Sequence, residues 1–85
     1  MNKELEIFKK KLIYRAAYRG TKEMDILLSS FVNKYIGTFN MNQLLALDKF
    51  LNFEDETILN FYNNNVIDKQ IDKNDISEIF KQFKL

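Results

Sequence analysis

Residues 12–37 read LIYRAAYRGTKEMDILLSSFVNKYIG. Gly20 divides this stretch into two halves with the same apolar period. Upstream, Leu12 and Ala16 continue a spacing begun at Leu5 and Phe8, the three-to-four-residue repeat of a helix with one buried face. Downstream, Met24, Leu27, Leu28, Phe31 and Tyr35 form a second stripe of that period. The spacing predicts helices over about residues 3–18 and 22–36, joined by a sharp corner. Gly20 suits that corner because no Cβ resists a positive φ. Gly37 follows the second helix where a left-handed residue commonly ends one.

The same logic extends towards the C-terminus. Asn40 is placed to cap a third helix, with Gln43 at N3 completing a capping box and Phe39 stapled onto Leu44. Leu44, Leu47, Phe50 and Leu51 carry its apolar face. A fourth helix is expected with Asp55 as its cap and Ile58, Leu59, Phe61 and Tyr62 following, ended by Asn63-Asn64-Asn65. A fifth is expected to start at Asp72, with Ile71 and Ile76 as a staple, and to bury Ile76, Ile79, Phe80 and Phe83. There is no proline and there are only two glycines, so little interrupts helix formation. No strand-like alternation persists. The fold class expected is all-α: a compact bundle of about five short helices, with residues 1–85 as a single domain and monomer as its state.

Composition removes several kinds of chemistry. The chain has neither cysteine nor histidine. Disulfides, thiolate nucleophiles, Cys/His zinc sites and the Ser-His-Asp triad are therefore excluded within it. No catalytic residue, metal site or stably bound cofactor is expected. Glu23 and Asp25, two apart on a helix, point to different sides and make a poor carboxylate pair. The net charge of +1 gives no global attraction to nucleic acid. Its distribution is uneven: residues 1–42 carry 8 basic and 4 acidic groups, residues 43–85 carry 5 and 8. Faces of opposite sign suit docking to a protein. No apolar run approaches the roughly 18 residues of a membrane span. The opening MNKELEIFKKK, with Glu4 and Glu6, resembles neither a signal nor a transit peptide, so a cytoplasmic location is expected.

Charge is concentrated at the corner. Arg15 and Arg19 lie one turn apart and project from one face of the first helix. Glu23 and Asp25 fall in the first turns of the second, where the helix dipole favours acids. One account is ordinary capping of two helix ends. The other is an arginine held out for a partner.

The order of these residues adds a specific likeness. Arg19-Gly20-x-x-Glu23-x-Asp25 resembles the RGxxExD signature of the succinate dehydrogenase assembly factor 2 family, the flavinylation factors of bacteria and mitochondria. Leu12, Tyr14 and Arg15 match the usual lead-in, and Leu27, Leu28 and Phe31 match the second-helix pattern. Phe50-Leu51, then Asp55, Ile58 and Phe61, match the third-to-fourth helix region, so the resemblance covers roughly residues 10–80. Tyr18 departs from it, standing where a second arginine is common.

The resemblance implies a bacterial, cytoplasmic assembly factor that is not an enzyme. It would bind the flavoprotein subunit of succinate dehydrogenase, or of fumarate reductase, and promote covalent attachment of FAD. The FAD belongs to the partner. Arg19, Gly20, Glu23, Arg15, Tyr18 and Asp25 are the expected partner-binding residues, with Arg19 as the inserted element. On that view Arg19→Ala abolishes flavin attachment while leaving the melting temperature nearly unchanged.

Other readings compete. Ile7, Tyr14 and Tyr18 form a second apolar stripe on the first helix, which is either an interface for a general helical adaptor or a surface packed under the fifth helix. Lys9, Lys10 and Lys11 with Arg15, Arg19 and Lys22 make a basic patch. Nucleic-acid binding through it lacks support from the overall charge.

Overall fold

The computed structural model describes residues 3–64 and 74–85. Its elements are α1 (Lys3–Ala17), α2 (Lys22–Tyr35), a short 3-10 turn (Ile36–Thr38), α3 (Met41–Phe50), α4 (Asp55–Asn64) and α5 (Asp75–Gln82). The described residues contain no strand. The chain is all-α, as its sequence periodicity predicts. α1 packs against α2 and α3, α3 against α5, and α4 against α5.

The predicted apolar stripes form one core. Leu12, Leu28, Phe31, Leu44, Leu47, Ile58, Ile76 and Phe80 are fully enclosed. Leu5 and Phe8 pack at its edge. Aromatic rings tie the helices together. Phe80 of α5 lies 5.0 Å from Phe31 of α2, 5.1 Å from Phe50 of α3 and 5.1 Å from Tyr62 of α4. The first two are edge-on, the arrangement that ring quadrupoles favour. The Tyr62 hydroxyl donates to the Phe83 carbonyl at 2.7 Å, so its polar end is also satisfied.

Local signals placed most helix starts. Asn40 and Gln43 form the predicted capping box, each side chain accepting from the other's backbone N–H at 2.9 Å. Three expectations require correction. Gly37 does not end α2 in a left-handed conformation; it lies inside the 3-10 turn, and the chain turns on a tightened last turn instead. Asp55 does not cap α4. Ile58 donates to the Glu54 carbonyl at 3.1 Å, so the helix begins from Glu54 and the Asp55 side chain is free for other work. α5 begins at Asp75, capped by Asn74 in a capping box with Ser77. Asp72 and the proposed Ile71 staple lie outside the described residues.

Candidate functional site

The corner between α1 and α2 is built from both sides of Gly20. Thr21 caps α2, its hydroxyl accepting from the Met24 N–H at 3.2 Å. Asp25, in the first turns of α2, accepts a hydrogen bond from the Arg19 backbone N–H. The end of α1 is thereby tied to the start of α2 across six residues. Local capping explains this much.

The arginines do something that local sequence does not reveal. Arg19 Nε donates to Asp55 Oδ1 at 2.8 Å. Its Nη1 donates to the Leu51 carbonyl at 2.7 Å, and its Nη2 to the Phe53 carbonyl at 2.8 Å. The Arg19 side chain is only 11% exposed. The guanidinium thus sits on the carbonyl end of α3, where a cation meets the negative end of the helix dipole and satisfies carbonyls the helix leaves open. Arg15 makes a parallel link one turn earlier. It pairs with Asp48 of α3 and donates to Asn52 Oδ1 at 2.6 Å.

The expectation that Arg19 is held out for a partner is therefore corrected: its guanidinium is bonded within its own chain. The reason is electrostatic. The basic first half and the acidic second half find each other inside one molecule, through Arg15–Asp48 and Arg19–Asp55. Two cations of the basic patch are consumed in this way.

Gly20 also has a different role from the one expected. It has no left-handed φ. Its N–H donates to Asp55 Oδ2 at 2.9 Å, and a Cβ at this position would meet the same oxygen at 3.0 Å. The glycine permits close approach, with one carboxylate bridging Arg19 and Gly20. Gly20→Ala is expected to push Asp55 off the Gly20 N–H and lower stability by about 1 kcal/mol, the worth of one hydrogen bond. A urea midpoint from circular dichroism measures it.

The six predicted residues are thus gathered at one corner but divided in orientation. Arg15, Arg19 and Asp25 are partly buried and bonded within the chain. Tyr18, Gly20 and Glu23 face outward. The Glu23 side chain has no hydrogen bond or ion pair with another described residue, and Tyr18 is 69% exposed. Tyr14 and Tyr18 lean on each other with ring centres 4.5 Å apart. They do not pack under α5. A groove of about 370 Å³ lies near the starts of α3 and α5 beside Asn40, Gln43 and Asn74. Those three side chains are used in helix capping.

A family model described as flavinator of succinate dehydrogenase matches residues 10–84. The chain belongs to this family. The flavinator match spans the corner and both of its arginine links. Succinate dehydrogenase assembly factor 2-A, mitochondrial, of Drosophila willistoni is 43% identical over 51 residues, which is 60% of this chain and 32% of that protein. Factor 2-B of the same fly is 46% identical over 48 residues, 56% of this chain and 31% of that protein. Succinate dehydrogenase assembly factor 2, mitochondrial, of Penicillium rubens is 38% identical over 55 residues, 65% of this chain and 18% of that protein. The chain thus spans about a third or less of the length of these curated relatives. No solved structure gives a significant match. These relatives are named as assembly factors.

Sequence reasoning missed Asp48, Asn52 and the bridging role of Asp55. The available signal was the charge imbalance between the halves. Thr21 was also missed, although a threonine directly before a periodic run is a common cap.

Proposed function

We propose that this chain binds the flavoprotein subunit of succinate dehydrogenase, or of fumarate reductase, and promotes covalent attachment of FAD to it. The reading is carried by the family match across residues 10–84, which includes the corner. The names of the relatives support it. The chain contributes no reacting group and keeps no cofactor of its own. As a single-domain monomer in the bacterial cytoplasm, it offers the partner a rigid helical corner. Binding favours the partner conformation in which flavin and acceptor side chain are aligned, and the bond then forms by proximity. Among the described residues, no helix is long and apolar enough to cross a membrane.

The geometry divides the labour. Arg15, Arg19 and Asp25 hold the corner's shape, while Tyr18, Gly20 and Glu23 meet the partner. Gly20 lets the partner's backbone approach, and the Glu23 carboxylate is available for a partner cation or N–H group. Co-expression with the flavoprotein subunit, in a host lacking its own helper, tests this through in-gel flavin fluorescence. Wild type is expected to raise the covalent signal. Glu23→Ala is expected to lower it roughly tenfold, the scale of one lost charge-assisted contact, with an unchanged melt. Equal fluorescence with and without the chain overturns the proposal.

A further inference from the structure

The outer face of α1 is a feature that the corner does not absorb. Leu12 and Ala16 commit one side of this helix to the core. On the other side Ile7, Tyr14 and Tyr18 are 53%, 63% and 69% exposed. The seven-residue spacing places Ile7 and Tyr14 along one line of the helix, and Tyr18, one residue past its end, extends the line by resting its ring against Tyr14 at 4.5 Å. A shallow groove of about 390 Å³ runs beside that line, lined by Ile7, Lys10, Lys11, Tyr14 and Arg15. Lys10 and Lys11 are exposed, flank the apolar line on either side, and form no ion pair with a described residue. The two acids of α1, Glu4 and Glu6, are confined to its first turn.

We infer that this face docks a segment of the flavoprotein partner that carries apolar side chains flanked by carboxylates. The inference rests on the function proposed above and names the surface and the partner chemistry. Three observations carry it. The line ends at Tyr18, next to Gly20, so it is continuous with the outward side of the corner. Its composition suits a protein interface, because tyrosine offers apolar area with a polar tip at low entropic cost. Its charge is one-signed where Arg15 and Arg19 are already neutralised by Asp48 and Asp55, so uncompensated lysines remain beside the apolar line. An acidic partner segment complements both properties and is steered towards them. A lipid surface is a poorer fit. A helix lying in a bilayer interface buries a broad apolar face, whereas this line offers one isoleucine and two tyrosines.

The test is a titration of the labelled chain with FAD-loaded flavoprotein subunit of succinate dehydrogenase, at low and raised salt. Wild type is expected to bind, and to bind more weakly as salt rises. Lys10→Glu with Lys11→Glu, and separately Ile7→Gln with Tyr14→Gln, are each expected to weaken binding about tenfold with unchanged circular dichroism. The lysine pair, being fully on the surface, decides the matter if the apolar pair perturbs folding. Wild-type binding with both double variants within twofold of it overturns this surface and leaves the proposed function standing. No binding by wild type overturns both. Binding of wild type to phosphatidylserine vesicles, lost in the lysine variant while flavoprotein binding is kept, assigns the face to lipid and overturns the partner segment.

Discussion

Arg19→Ala is expected to unfold at a temperature roughly 15 °C lower than wild type. The substitution removes three hydrogen bonds at once and strands Asp55 and the carbonyls of Leu51 and Phe53 at a packed junction. Breaking one side of a largely buried pair costs about 3 kcal/mol, and each kcal/mol moves the midpoint of a chain this size by about 4–8 °C. A thermal melt followed at 222 nm measures it. This result is the opposite of what the RGxxExD motif suggests when read alone. A melt within 2 °C of wild type would mean that the guanidinium does not hold α3 and α4 in solution. Arg19→Lys keeps the charge but loses the planar fork, so it is expected to recover only part of the loss. Any fall in flavin attachment in Arg19→Ala then reflects a lost shape. Glu23 and Tyr18 are the cleaner probes of contact with a partner.

Phe80→Ala is expected to have a larger effect. Phe80 is fully enclosed and touches rings from α2, α3 and α4. Truncating such a side chain costs about 4 kcal/mol, through lost transfer energy and the cavity left behind. A chain of this length has on the order of 5–10 kcal/mol in total. The variant is expected to be substantially unfolded at low urea concentrations, with the midpoint read by circular dichroism. A shift equivalent to less than 1 kcal/mol would mean that the helices do not meet on this ring.

The helices and the apolar core could be read from the sequence because both depend on neighbours a few residues away. The stripe Met24, Leu27, Leu28, Phe31 needs only the helical period, and the box of Asn40 with Gln43 needs only three residues. The errors arose where the deciding contact is distant. Asp55 looks locally like a helix cap, yet its carboxylate is claimed by Arg19 and Gly20, 36 and 35 residues earlier. Arg19 looks locally like a free cation at a helix end, yet its acceptors lie more than 30 residues ahead. Gly37 follows a helix, where glycine commonly adopts a left-handed conformation, but here a 3-10 turn serves instead. At the candidate site, the gathering of the six residues was legible, and which of them turn inward was not.

The bridge from Asp55 to Gly20 and Arg19 makes the signature conformationally composite. Its letters are contiguous, but its shape is lent by the far half of the chain. An excised peptide spanning residues 12–25 would carry every letter of the motif without the scaffold that fixes its bend. Substitutions near position 55 would then be felt at the corner, though no letter of the signature had changed.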